Sequence, residues 1–195
     1  MWNQLLPGLR MNLLLTVMVG VIYPLAITGI SQLAFPHQAN GSLVHNQSGA
    51  VIGSDLIGQN FTRPEYFHPR PSAAGQDGYD AASSSGSNYG PTSQKLADRV
   101  QAAAIQFRKD NPEFRGPLPS DLVTASASGL DPHISPDSAF AQAARVAKAR
   151  GIEVDQIQAI LARHIEGRDL GLLGEPRVNV LKLNLDLDYA APLHH

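Results

Sequence analysis

An α+β fold class, with one N-terminal transmembrane helix followed by a single external α+β domain, follows from three observations. Met11 to Ala34 runs 24 residues without a charged side chain. Beyond it, Leu96, Val100, Ala103, Ala104 and Phe107 recur at helical spacing. Near the end, Leu181, Leu183, Leu185 and Leu187 alternate with Lys182, Asn184, Asp186 and Asp188, the pattern of a strand with one wet face.

The apolar run reaches ~36 Å at helical rise, against a hydrocarbon core of ~30 Å, so it can span with some tilt. A cleaved signal peptide is the competing reading. The run is too long for an h-region of about 7–15 residues, and no A-x-A-like site follows. Arg10 sits at its amino-terminal end and the next Lys or Arg is Arg63. The positive-inside rule then makes residues 1–10 a short cytoplasmic N-terminus, 11–34 the transmembrane helix and 35–195 the external, periplasmic domain of a single-pass protein of the cell inner membrane. Within the span Thr16, Gly20, Pro24 and Thr28 recur every four residues and read as a partner-helix interface, since small residues allow close approach where lipid supplies no hydrophobic drive. Pro24 removes a backbone hydrogen bond and predicts a kink. The alternative is that such residues are simply common in membrane helices.

After the span, Ser42 to His45 and Ala50 to Ser54 flank Asn46-Gln47-Ser48-Gly49, a hairpin pattern that Leu56 to Gly58 could extend. From Asn60 to Pro91 no period survives. Phe61, Tyr66 and Phe67 precede Pro69, Pro71 and a Ser/Gly/Asn tract, a loop long enough to imply function. Thr92 or Ser93 caps a helix that Pro112 ends. Leu118 to His133 reads as a loop with a short strand around Leu122 to Ala125. Ser135-Pro136-Asp137 opens a helix that Gly151 closes, and Val154 or Asp155 opens another, closed by Gly167.

Composition narrows the chemistry. Excluding Arg10, 14 basic residues face 17 acidic ones, a net of −3 that argues against nucleic acid. With no cysteine, disulfides, thiolate catalysis and Cys-ligated metals are excluded. The 160 residues after Phe35 suffice for one domain with a core.

The tract Ser84, Ser85, Gly86, Ser87 and Asn88, with Lys95 on the next helix, invites an anion-binding reading, because backbone amides and a helix N-terminus attract anions. G-x-x-x-x-G-K-[ST] is absent, so a docking or purely structural loop is favoured. G-x-S-x-G, H-E-x-x-H and an Asp-Lys-Thr-Gly phosphorylation motif are also absent, and no catalytic residue is assigned. Ser126, Ser128, Asp131, His133 and Ser135 crowd one loop, where Ser and Asp beside Gly and Pro usually make turns. Histidines 37, 45, 68, 133, 164, 194 and 195 are scattered; only the terminal pair could bind metal loosely, and no metal site is assigned. His68 and His133 are expected to bond backbone. Gln142 and Arg145 are expected to face away from Phe140, Ala144 and Ala147, toward a partner or toward solvent.

Several segments in order, Tyr23-Pro24-Leu25, Gln38 to Leu43, Leu56 to Phe61, Tyr66-Phe67-His68 with Arg70 to Ala73, Ser85 to Asn88, Leu122 to Asp131, Arg145 to Arg150, and Val178-Asn179-Val180 with Leu183-Asn184, resemble the KdpC family, the C subunit of the bacterial Kdp potassium-transporting ATPase. The resemblance runs almost end to end. It implies a non-catalytic, single-span, outward-facing subunit that assembles with a potassium-binding channel-like subunit, a P-type ATPase subunit and a small single-helix subunit. It also implies a catalytic-chaperone role, raising the ATP affinity of the ATP-hydrolysing partner. ATP would then be bound only jointly with that partner, and no cofactor is expected on this chain alone. The alternative from another class is an independent membrane-anchored periplasmic enzyme or ligand-binding domain, supported only by the long Ser/Gly loop.

Overall fold

A helix begins at Trp2 and continues to Ala34, in a computed structural model that describes residues 2–46 and 48–192. It has three parts: α1 (Trp2–Val17), a single π-helical turn at Met18–Ile22, and α2 (Tyr23–Ala34). The stretch Gln4–Ala34 is long and apolar enough to cross a membrane. The π turn has a cause in Pro24. A proline ring clashes with the carbonyl four residues back, here that of Gly20, and supplies no N–H to it. Widening the preceding turn, so that the Tyr23 N–H bonds the Met18 carbonyl, relieves that clash. Phe35 breaks the helix, and a short α3 (Pro36–Ala39) follows.

The chain divides into two units, 1–52 and 53–195. At the boundary, β1 (Leu43–His45) and β2 (Val51–Ser54) form the expected two-stranded sheet. The Asn46 carboxamide oxygen accepts from the Ser48 and Ala50 N–H groups and shapes the turn. Leu56 to Gly58 adds only an isolated bridge, between Ser54 and Ile57.

The second unit has no regular structure between Leu56 and α4 (Gln94–Asp110), which starts and stops close to its sequence signals. Val100, Ala103, Ala104 and Phe107 of α4 pack on Leu122, Val123 and Ala141 in a small core. The strand expected at Leu122 to Ala125 is instead a 3₁₀ turn, Ser120–Leu122. The Ser120 carbonyl draws in the Val123 and Thr124 N–H groups and the Thr124 hydroxyl, curling the chain so that Leu122 and Val123 reach α4.

The larger core lies on a three-stranded antiparallel sheet in the order β3 (His133–Ile134), β5 (Arg177–Asn179), β4 (Ile165–Glu166). Val178 of the middle strand is opposite both Ile134 and Ile165. Helices α5 (Pro136–Phe140), α6 (Ala143–Arg150), α7 (Val154–Arg163) and α8 (Val180–Ala190) enclose it. The single helix expected from Pro136 to Arg150 is broken at Ala141-Gln142, where the Gln142 N–H reaches back only to Ala139. Gly151 does end α6, in the left-handed conformation at φ 68°. A capping box between Glu153 and Gln156 opens α7, which stops at Arg163, before Gly167, because β4 begins two residues later.

The strand expected over Leu181 to Asp188 is a helix, α8. The sheet ends with Arg177–Asn179; the Asn179 side chain then accepts from the Lys182 N–H and caps the turn. Val180, Leu183, Asn184 and Leu187 are all buried, which is a helical stripe. The alternating pattern puts Asn184 on the wet face, whereas it is buried with the leucines.

Candidate docking and clamping sites

Residues 63–72 form a strap, a turn at 63–66 followed by chain without a strand partner, and side chains take the place of one. The Asn184 carboxamide accepts from the Phe67 N–H at 2.8 Å and donates to the Phe67 carbonyl at 3.0 Å. Gln142 does the same for the next residue, accepting from the His68 N–H at 2.8 Å and donating to its carbonyl at 3.1 Å. Both amides are essentially inaccessible to water, and Phe67 is fully buried in the main core. Each carboxamide satisfies two backbone groups that burial would otherwise strand.

Two arginines extend the grip. Arg145 donates to the carbonyls of Pro64 and Tyr66, to Asn111 and to Gln142. Burial draws its guanidinium down to about 10, opposed by Asp110 and Glu65, and it keeps its charge at neutral pH. Arg150, whose side chain is fully buried, donates to the Glu65 carbonyl, to the Leu187 and Ala191 carbonyls at the end of α8, and to Asp188. It also lies 5.1 Å from the Tyr66 ring, whose hydroxyl bonds the same Asp188.

This corrects the expectation for Gln142 and Arg145. The break after Ala141 turns Gln142 inward, where it also bonds the Ser138 carbonyl, and leaves Phe140 40 % exposed. Asn184, Arg150, Tyr66 and Asp188 were missed as a set. The only signal for them was the aromatic cluster Phe61, Tyr66 and Phe67 in a segment without period.

The strap continues into the Ser/Gly tract. Arg70 pairs with Asp131 at 3.0 Å, the Ser72 hydroxyl donates to the Gly129 carbonyl at 2.7 Å, and Arg99 donates to the Ser72 carbonyl. Ser84 donates to the Ser128 carbonyl and Ser85 to that of Ala73. Gly86 lies so close to Ala127 that a Cβ would stand 2.8 Å from its carbonyl oxygen. Ser84 and Gly86 are therefore held against residues 127–128, and Ser85 against Ala73. Ser87 follows, and Asn88 turns the chain with φ 52°. Tyr79, also left-handed at φ 58°, bonds the Arg70 carbonyl through its hydroxyl, and burial pushes that hydroxyl's pKa up.

The hydroxyls of the crowded loop are engaged in turns. Ser126 accepts from the Gly129 N–H, Ser128 from the Leu130 N–H, and Ser135 caps α5 while donating to Asp121. Burial disfavours the charged form of Asp131, but hydrogen bonds from His133 and the Arg70 guanidinium outweigh it and hold the carboxyl below its ordinary value. The His68 ring meets the Arg63 carbonyl at 3.0 Å; burial first, then Arg145, lower its pKa. Among the described residues no three His, Asp or Glu side chains are grouped to hold a metal ion. The terminal pair, His194 and His195, lies outside the described residues. A cleft of about 540 Å³ opens between the strap and α4, lined by both charged and polar groups, among them His68, Arg70, Tyr79, Gln106, Asp110 and Gln142.

In the apolar helix, the π turn changes how the four-residue stripe lies. In an unbroken α-helix, twelve residues from Thr16 to Thr28 advance about 1,200°, leaving the two about 120° apart. One extra residue accommodated in the wide turn absorbs about 100° of that, leaving roughly 20°. Thr16, Gly20, Pro24 and Thr28 thus keep to one side. A Cβ on Gly20 would meet only the Thr16 methyl, at 3.9 Å, so that side is open.

The family described as K+-transporting ATPase, c chain, matches residues 5–189. Relatives named potassium-transporting ATPase KdpC subunit include one from Myxococcus xanthus, 56 % identical over 188 residues, covering 96 % of this chain and 89 % of its own. Another, from Nitratidesulfovibrio vulgaris, is 55 % identical over 94 % of this chain and 93 % of its own. A third, from Rhodospirillum rubrum, is 54 % identical over the whole of both chains. With a family match over nearly its full length and relatives this similar, the chain belongs to the KdpC family of K+-transporting ATPase c chains.

Proposed function

We propose that this chain is a non-catalytic accessory subunit of an ATP-driven, high-affinity potassium uptake complex, which it assembles and stabilises from a single span in the inner membrane. What supports this reading, beside family membership, is the π turn at Met18–Ile22, which by helix geometry leaves Thr16, Gly20, Pro24 and Thr28 near one side. An aligned row of small residues lets a partner helix approach closely, and threonine hydroxyls can bond across the contact. The partners are a potassium-binding channel-like subunit, a P-type ATPase subunit and a small single-helix subunit. The span carries no Asp, Glu, Lys, Arg or His between Met11 and Ala34, which argues against an ion pathway through this helix alone. Arg10 is cytoplasmic and the second unit periplasmic, following the single basic flank.

The same subunit raises the ATP affinity of its ATP-hydrolysing partner. Because its large unit faces away from cytoplasmic ATP in this topology, the effect passes through the span or its cytoplasmic end. The test is native mass spectrometry of detergent extracts from potassium-starved cells carrying wild type or Gly20→Leu. Wild type emerges with larger subunits whose ATP hydrolysis responds to potassium, and Gly20→Leu loses them. A lone wild-type monomer refutes the assembly reading. ATP affinity unchanged in a complex lacking this chain but otherwise intact refutes the chaperone reading alone.

A further inference from the structure

The two most exposed large apolar side chains of the second unit, Leu170 and Leu172, share one turn with a third, Leu173. Between β4 and β5, Leu170 is 91 % exposed, Leu172 81 % and Leu173 62 %. Isolated exposed leucines are ordinary, but three within four residues are not. The turn is also built. The backbones of Asp169 and Leu173 exchange hydrogen bonds in both directions at 2.9 Å. At its base Arg177 holds Asp169 and Glu166, and Arg168 holds Glu175 at 2.7 Å. Leu170 sits in the left-handed region at φ 55°, a conformation that a side-chain-bearing residue adopts only under constraint.

We propose that the Leu170–Leu173 turn is a preformed apolar anchor that seats in a non-polar pocket on a partner subunit of the transport complex. The proposal rests on the accessory-subunit reading above. Two features of the turn select a protein pocket over other occupants. Segments that bind a lipid surface display unpaired Lys or Arg beside aromatic residues. Here both arginines are engaged by carboxylates, the three acids Glu166, Asp169 and Glu175 outnumber them, and residues 165–179 contain no aromatic residue. A second copy of this chain would need about 800 Å² per partner for a stable contact, more than three leucines on one turn offer. They suit the centre of a larger interface, ringed by the paired charges, where a few apolar side chains carry most of the binding.

The absence of cysteine makes a direct test possible. Leu172→Cys introduces the sole thiol of this chain, to be labelled with a methanethiosulfonate spin label in the assembled complex, with the wild-type complex as blank. Expected is a label immobilised and shielded from both dissolved oxygen and a water-soluble nickel chelate. Access to nickel means a solvent-exposed turn, access to oxygen alone means lipid, and dipolar broadening means a second copy; each overturns the proposal. As a second variant, Leu172→Asp should lower recovery of the chain with its partner subunits by about tenfold, the scale of a central interface residue. Ile105→Asp, at a 63 % exposed position of α4, should not. Equal loss from both, or from neither, overturns the anchor. Failure of the wild-type chain to recover any partner refutes instead the accessory-subunit reading.

Discussion

Replacing Asn184 by Ala strips Phe67 of both its backbone partners, in a place water does not reach. The lost bonds are 2.8 and 3.0 Å long, and Asn184 is 1 % exposed. Each buried group left unpaired costs about 1–3 kcal/mol, so the pair costs about 2–6 kcal/mol. Domains are typically stable by about 5–15 kcal/mol, so the loss is a large fraction of the whole. At about 2–4 °C per kcal/mol for a chain of this size, a mid-range loss of about 4 kcal/mol lowers the melting temperature by about 8–16 °C. The assay is urea unfolding of the full chain in mild detergent, followed by circular dichroism, with hydrogen exchange of peptides containing Phe67 and His68. Asn184→Leu refills the volume without restoring the bonds and should lose nearly as much. Lys182→Ala, on the wet side of α8 and paired with Asp55 at 3.1 Å, should cost no more than about 1 kcal/mol. A loss below about 0.5 kcal/mol in both Asn184 variants, with protection of Phe67 and His68 unchanged, would refute the idea that carboxamides stand in for a missing strand.

Further outcomes follow from the same geometry. His68 has a folded pKa below 6.5, so its contribution is full above that value and is lost as pH falls through the lowered pKa; His68→Gln should flatten the decline of urea midpoints below pH about 6.5. Asp131, also lowered, stabilises above its unfolded pKa and loses that contribution at more acidic pH; Asp131→Asn should reduce stability at pH 7 and shrink the acid limb of the same titration. Gly86→Ala drives a Cβ against the Ala127 carbonyl and should cost about 1–3 kcal/mol by urea unfolding, with raised exchange in residues 84–88 and 125–130. Pro24→Ala restores an ordinary α turn, swings Thr28 by about 100° to about 120° from Thr16, and should lower the intact-complex fraction in native mass spectra while the chain still inserts.

Local signals served where the physics was local. The apolar run, the Asn46 turn, the Ser135 cap and Gly151 each act over a few residues, and each was readable. The clamp was not, because its partners lie 74 to 117 residues apart and a buried carboxamide looks in sequence like a solvated one. The same blindness produced both orientation errors. Asn184 and Gln142 read in sequence as polar and hence wet, a pattern that makes α8 look like a strand and puts Gln142 on an outer face. The Ser/Gly tract is visible as unusual, but its attachment to Ala73 and Ser128 rests on backbone carbonyls, which carry no sequence signature.

The strap is an early stretch of chain held by late ones. Residues 63–72 emerge from the ribosome well before Arg145, Arg150 and Asn184, and at about 5–20 residues per second that interval lasts several seconds or more. The central strand β5 and helix α8 come last of all, so neither the sheet nor the main core can close before the C-terminal residues arrive. Contacts of such separation must first overcome loop closure, which slows folding. The second unit is therefore an all-or-nothing structure: a chain cut short before about residue 184 keeps its long apolar helix but leaves the Phe67 backbone without its carboxamide partner and the main core open, and limited proteolysis should degrade it faster than the full chain.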